Sequence, residues 1–176
     1  MECREMRLFF AVLVPEDIRR DLARACGKLP ASWRPVQESQ MHLTLVFMGD
    51  VSVDGLERVV EVGDWAAASF DAFQVTLGST DCFPTPSNPR VLFVHADSEK
   101  LIPLAAGLQK GLEQWADPKP FRPHLTIARR KVEAASFQKM RFTHSWTVDR
   151  FDLIKSTLGG GRAEHSVVKT FSLRNP

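Results

Sequence analysis

The tetrapeptide His42-Leu43-Thr44-Leu45 returns almost unchanged as His124-Leu125-Thr126-Ile127, 82 residues further along the chain. In an extended strand, side chains alternate between two faces. Each copy therefore presents an imidazole and a hydroxyl on one face and two aliphatic side chains on the other. If the two strands face each other across a groove, two His and two Thr surround one small ligand. That set suits a phosphodiester. Opening a cyclic phosphodiester needs a base to take a proton from water and an acid to protonate the departing sugar oxygen. Imidazole, with an ordinary pKa of about 6.5, serves either role near neutral pH. Threonine hydroxyls can hydrogen-bond the non-bridging phosphate oxygens and hold the group between the two rings.

A single His-x-Thr on a strand is most often structural, whereas two copies sharing even their apolar residues point to function. Zinc is the competing use of paired histidines. It wants a third or fourth ligand, and neither copy has a Cys, Asp or Glu at ligand spacing. Chemistry without a metal or other cofactor is the expectation.

The elements around these segments follow from periodicity. Arg7–Val14 is an apolar, β-branched and aromatic run closed by Pro15, which reads as a buried strand. A helix follows with Ile18, Leu22 and Cys26 on one face and Gly27 at its end. Met41–Met48 reads as a strand, then Asp54 as the cap of a helix carrying Leu56, Val59, Val60 and Trp65. Phe73–Leu77 and Val91–His95 read as strands, and Cys82–Arg90, with three prolines, as a loop between them. Leu101–Trp115 has helical spacing, with Pro103 in its first turn. Phe121–Arg129 carries the second motif. A short helix near Ala134–Met140 follows, then strands near Val148–Lys155 and Val167–Leu173, joined by a turn at Gly159-Gly160-Gly161. Helices and strands are mixed with short connections and no linker. The expectation is one α+β domain over residues 1–176, with two similar lobes implied by the motif repeat.

A formal charge of +2 argues against a protein that coats long nucleic acid, yet leaves room for a local pocket that grips one or two phosphates. Cys3, Cys26 and Cys82 have no metal-ligand or redox spacing and read as reduced, mostly buried thiols. The apolar run Leu8–Val14 is short and lacks a cleavage site, and no segment approaches the roughly 20 apolar residues needed to span a bilayer. A cytoplasmic protein without membrane attachment, monomeric on its size, is expected.

From about Met6 to the C-terminus the sequence resembles the two-histidine (2H) phosphoesterase superfamily, and within it the RNA 2',3'-cyclic phosphodiesterase (2'-5' RNA ligase) family. The resemblance is carried by Arg7-Leu8-Phe9-Phe10-Ala11-Val12, by the first motif with Phe47-Met48-Gly49, and by Phe83-Pro84. It continues through Pro89-Arg90-Val91-Leu92-Phe93-Val94 and Phe121-Arg122-Pro123-His124-Leu125-Thr126-Ile127-Ala128-Arg129. The resemblance implies two pseudo-symmetric lobes, each an antiparallel sheet with flanking helices, around a central cleft that holds both motifs. It implies hydrolysis of RNA 2',3'-cyclic phosphate ends to a 2'-phosphate, with His42 as general acid and His124 as general base. The same chemistry with an RNA 5'-hydroxyl makes or breaks a 2'-5' linkage. RNA with either feature, tRNA fragments included, is the implied partner.

The sequence departs from the family where Val46 stands for a frequent Lys and where His165 stands near a frequent Tyr; the chain has no Tyr at all. Thr44, Thr126, Arg129 and Arg130 are the candidate phosphate ligands. Strict alternation puts Arg130 on the His124 face, while alignment to the family points to Arg129; a bulge would reconcile them. Arg122 is a candidate brace for His124, and Ser156 and Arg162 are candidates for the cleft rim. Phe47 is expected in the core rather than stacked on a base, His95 and His144 are expected to be structural or exposed, and the four Trp are expected in packing. Related chemistry on 2'-5' oligonucleotides or another cyclic nucleotide is an alternative. So is a non-catalytic module that holds an RNA end, although binding alone needs no titratable pair. No nucleotide-binding glycine loop is present, which leaves an ATP-dependent ligase unsupported.

Overall fold

The computed structural model describes residues 5–133, 135–159 and 162–175, with the side chain of Arg162 excepted. Cys3, Ala134 and the Gly160-Gly161 part of the predicted turn lie outside the described residues. The chain runs β1 (Glu5–Leu13), α1 (Glu16–Cys26), β2 (Trp33–Pro35), β3 (His42–Ser52), α2 (Leu56–Ser69), β4 (Phe73–Thr85) and β5 (Asn88–Asp97). It continues with α3 (Leu101–Gly111), β6 (His124–Arg130), β7 (Ser145–Val148), β8 (Arg150–Gly159) and β9 (Arg162–Ser172).

Two antiparallel sheets result, one of four strands in the order β3-β1-β8-β9 and one of five in the order β2-β6-β5-β4-β7. This is the expected α+β arrangement of two lobes, but the lobes are not the two halves of the chain. The first sheet takes strands from both ends of the sequence, and β2 crosses to the edge of the second. The helices also cross over. α1 follows a strand of the first sheet yet packs on β6 of the second, and α3 follows the second sheet yet packs on β3 of the first. Each lobe is therefore completed by a helix delivered from the other.

One face of each sheet is buried beneath helices, in a core that includes Leu8, Phe10, Val12, Leu43 and Phe171 from the first sheet and Leu92, Leu125 and Ile127 from the second. Burying side chains of this size stabilises by roughly 1.5–3 kcal/mol each. Phe151 and Phe171 stack with ring centroids 5.2 Å apart, and Phe10 meets both edge-on at 5.7 Å. The opposite face of the first sheet carries a smaller apolar cluster of Phe9, Ala11 and Ile154. That face lines the cleft.

Four elements differ from the sequence reading. Cys82–Arg90 is not a loop, because β4 runs to Thr85 and β5 begins at Asn88. Pro84 pairs with Pro89 at an irregular point of the ladder, so the two residues without N–H donors face each other where few bonds are lost; the Phe83–Pro84 peptide is cis. Residues 135–140 are not helical. The carbonyls of Ser136, Gln138 and Met140 instead accept bonds from Trp33, Thr80 and Thr80 respectively. The helix predicted to reach Trp115 ends at Gly111, although Leu112 remains buried. The predicted cap at Asp54 is supplied by Ser52, whose hydroxyl accepts from the Gly55 N–H at 3.2 Å, and a 3-10 turn precedes α2. Cys26 and Cys82 are buried as expected. Of the tryptophans, Trp33 and Trp146 are in the core, Trp115 packs against it, and Trp65 is 54% exposed.

Candidate active site

The two motif strands open with the same pattern of exposure: half-buried, buried, half-buried, buried, buried, exposed. His42 and Thr44 share one face of β3, and His124 and Thr126 share one face of β6. The aliphatic partners Leu43, Leu45, Leu125 and Ile127 are buried behind them. The strict alternation fails at the same place in both. Phe10 and Ala11 pair with Val46 and Thr44, which leaves Leu45 extra, while Leu92 and Phe93 pair with Ala128 and Thr126, which leaves Ile127 extra. Each extra residue is a β-bulge that reverses the parity of the residues next after it, until in β3 a second shift at Met48 reverses it again.

β3 and β6 belong to different sheets and meet across the cleft. Between them lies a cavity of about 220 Å³ lined by Val36, Gln40, Ala163 and six groups able to bind or move protons around a phosphate. These are His42, Thr44, His124, Thr126, Arg129 and His165. Among the described residues no carboxylate lines it. A cavity walled by imidazoles, hydroxyls and a guanidinium favours an anion.

His124 is oriented from two residues upstream. His124 Nδ1 donates to the Arg122 carbonyl at 2.5 Å, which leaves Nε2 as the nitrogen with the free lone pair in the neutral ring. The Gln40 backbone two residues before His42 acts to raise its proton affinity. Aromatic side chains fix each ring from the side. His42 lies 5.1 Å from Phe9 and 5.4 Å from His165, and His124 lies 5.3 Å from Phe83 and 5.2 Å from Phe93, centroid to centroid. Burial lowers the proton affinity of both imidazoles. For His42, burial and the neighbouring His165 bring the pKa from 6.5 down to about 4, with Arg129 and His124 acting in the same direction. His124 is lowered by burial and, further, by His95 and Arg129, against the raising effect of its Arg122 bond.

Arg129 reaches the cavity because the Ile127 bulge returns it to the His124 face. Arg130 is turned to the other side, where its guanidinium donates to Asn88 Oδ1 at 2.6 Å, and it does not line the cavity. Arg122 contributes its carbonyl to His124, while its side chain borders a neighbouring cavity of about 530 Å³ that also contains Phe83, Phe93, His95 and Phe121. Phe47 is not in the core. It is 38% exposed, with the Arg7 guanidinium 4.9 Å above its ring. Ser156 pairs with His165 in the β8–β9 ladder. The Arg162 side chain lies outside the described residues.

Three contributions were not visible in the motifs. His165 forms a third wall of the cavity from β9. Gln40 Nε2 donates to the Ala163 carbonyl and so ties the tip of β9 to the segment that leads into β3. His95 stands directly opposite His124 in the β5–β6 ladder and contacts Asp81 at 3.3 Å. None of these follows from local spacing, since each depends on strand register between distant segments. His144, the other histidine without a motif, lies 3.1 Å from Asp21 at α1.

Two antiparallel lobes, each delivering one His-x-Thr strand to a shared cleft, define a two-histidine phosphoesterase architecture. The 2'-5' RNA ligase superfamily matches residues 7–160. The RNA 2',3'-cyclic phosphodiesterase of Thermus thermophilus is 36% identical over 96% of this chain and 91% of its own length. The protein of that name from Escherichia coli is 29% identical over 95% of this chain and 96% of its own. Among solved structures, TT0787 of Thermus thermophilus superposes with a TM-score of 0.89 at 36% identity, covering 97% of this chain and 99% of that one. Escherichia coli LigT complexed with 3'-AMP superposes with a TM-score of 0.85 at 28% identity, covering 98% and 100%. The chain belongs to the 2'-5' RNA ligase superfamily.

Proposed function

We propose that this protein hydrolyses 2',3'-cyclic phosphate ends of RNA to a 2'-phosphate and a 3'-hydroxyl, within a single domain spanning residues 1–176. The observation that carries the reading is the convergence of His42, Thr44, His124, Thr126 and Arg129 on one small cavity without a carboxylate among its described lining. The names of the relatives point the same way. The neutral His124 ring, its Nδ1–H satisfied by Arg122, has Nε2 free to take a proton from water. The hydroxide forms a bond to phosphorus as the P–O3' bond breaks, and His42 delivers a proton to the departing 3'-oxygen. Thr44, Thr126 and Arg129 hold the non-bridging oxygens as negative charge builds on them.

The low proton affinity of His42 in the empty cleft fits this role once substrate is considered. Burial and the neighbouring His165, Arg129 and His124 keep it neutral. A bound phosphodiester brings a negative charge into the same space and raises the affinity again, so the acid becomes charged with its substrate in place. With an RNA 5'-hydroxyl in place of water, the same step forms a 2'-5' phosphodiester, and its reverse cleaves one to a cyclic phosphate.

No helix among the described residues is long and apolar enough to cross a membrane. The proposal places the enzyme in the cytoplasm as a monomer, with tRNA fragments ending in a cyclic phosphate as one source of substrate. The test is turnover of a short RNA with a 2',3'-cyclic phosphate end, in EDTA, with the position of the product phosphate determined. A 2'-phosphate made by the wild type and lost in His42→Ala and His124→Ala is expected. A folded wild type that leaves this RNA intact but cleaves another cyclic nucleotide or a 2'-5' oligonucleotide would move the assignment to that substrate. Binding without turnover of any of these would reduce the cleft to an RNA-end-binding site.

A further inference from the structure

The second sheet ends in a pair of cations, of which the reaction centre accounts for Arg129 but not for Arg34. Arg34 on β2 stands directly opposite Arg129 on β6. Like charges directly opposite in an antiparallel pair are destabilising unless something lies between them. Both residues are exposed, and among the described residues neither has a carboxylate within ion-pairing distance. They line a second cavity of about 320 Å³, together with Pro35, Val36, Gln37, Gln40 and Ala163. Val36, Gln40, Arg129 and Ala163 belong to this cavity and to the reaction cavity alike. The two spaces are neighbours, and Arg129 stands at their junction. Among the described residues this second lining also carries no acid.

We propose that Arg34 binds the phosphate one nucleotide to the 5' side of the reacting cyclic phosphate, with Arg129, shared by the two cavities, reaching both phosphates. This makes the pair the element that favours an RNA strand over a cyclic mononucleotide. The inference rests on the reading of the cleft as a cyclic phosphodiesterase. The direction along the strand follows from the substrate, because an RNA that terminates in a cyclic phosphate has further phosphates only on its 5' side. Two guanidiniums on adjacent strands offer paired N–H donors to a phosphate from both flanks, a geometry that a lone lysine cannot match. The β2–β6 pairing sets the two residues opposite each other on adjacent strands. Arg34 is absent from the lining of the reaction cavity and so is not part of the acid–base pair.

The experiment compares a cyclic mononucleotide with a trinucleotide ending in a 2',3'-cyclic phosphate, using wild type, Arg34→Gln and Arg34→Lys. Loss of one charge-assisted phosphate contact is expected to lower kcat/KM for the trinucleotide by about tenfold more than for the mononucleotide, chiefly through KM, with partial recovery in Arg34→Lys. Alongside it, binding of a labelled trinucleotide with a 2'-phosphate end is titrated against salt, where Arg34→Gln should reduce the log–log slope by about one. Equal losses on both substrates with an unchanged salt slope would overturn the assignment. If the wild type turned over neither substrate, the catalytic reading would fail by itself, and the salt slope would still decide whether Arg34 binds a strand phosphate.

Discussion

Phe47 and Arg129 occupy equivalent positions in the two lobes. Each lies five residues beyond its motif histidine, and each is returned to the histidine face by one extra residue, Leu45 in β3 and Ile127 in β6. The backbone is repeated while the chemistry is not. One side of the cleft ends in an aromatic ring under the Arg7 guanidinium, and the other ends in a cation that shapes the reaction cavity. The two motif strands are alike, and the side chains after the bulge make the cleft asymmetric, as a reaction with distinct acid and base ends requires.

The bulge separates two adjacent arginines by function. Arg129→Gln is expected to lower kcat/KM on a cyclic-phosphate RNA by about 10–100-fold, the scale of a charge-assisted contact to a phosphate. Arg130→Gln removes a bond to Asn88 at the far side of the strand and should cost at least tenfold less activity. Steady-state kinetics of the two variants decides the matter, and a reversed order would mean that the parity switch at Ile127 does not set the site.

The two histidines should act as one unit. His42→Ala and His124→Ala are each expected to lower the hydrolysis rate by about 10²–10⁴-fold. The double variant should be little worse than the weaker single, because a step that lacks either its acid or its base is already stalled. Single-turnover rates measured in EDTA test this, and multiplicative losses would argue that the two rings serve separate steps.

How much of this could be seen before the structure depends on which interactions are local. The faces of His42, Thr44, His124 and Thr126 followed from a period of two, which is a property of any strand. Strand register is not local, so the roles of His165 and His95 and the opposition of Arg34 and Arg129 left no trace in spacing. The bulges at Leu45 and Ile127 were equally silent, since an aliphatic residue in a bulge looks like one in a ladder; the resemblance to the family, rather than periodicity, pointed to Arg129. Prolines misdirected the reading at Cys82–Arg90, where three of them suggested a loop and the pairing of Pro84 with Pro89 let a hairpin form. The repeat correctly implied two lobes, but a sequence pattern could not show that β2, α1 and α3 cross from one lobe to the other.

The packing of α2 on the first sheet depends on the absence of one side chain. A Cβ at Gly63 would lie 2.5 Å from the Phe171 ring, which is itself buried and stacked on Phe151. Gly63→Ala should therefore destabilise by about 1–3 kcal/mol, lowering Tm by several degrees for a chain of this size. The residue lies behind the sheet, away from the cleft, so hydrolysis by the folded variant at 25 °C should persist. Thermal unfolding checks the first expectation and turnover the second; an unchanged Tm would show that Phe171 can move aside.

The depressed proton affinities in the cleft also make stability depend on pH. His42 binds a proton at about pH 4 in the folded chain and at an ordinary 6.5 when unfolded. Between those values the unfolded state holds more protons, so stability is fully present above about pH 6.5 and is lost as pH falls toward 4. At roughly 1.4 kcal/mol per unit, the difference approaches about 3 kcal/mol, and the lowered affinities of His124 and His165 add in the same direction. Urea unfolding followed from pH 7.5 to 4.5 should show this decline, and it should be shallower in His42→Asn, which keeps a polar side chain without a titrating ring. His165→Ala removes the second-largest cause of the His42 depression and should make the decline smaller, with its onset still near pH 6.5, by raising the folded affinity of His42 and by removing one titrating imidazole. Identical pH profiles for wild type and His42→Asn would mean that His42 is as easily protonated in the folded cleft as in water, and the explanation of how substrate charges the acid would fall with it.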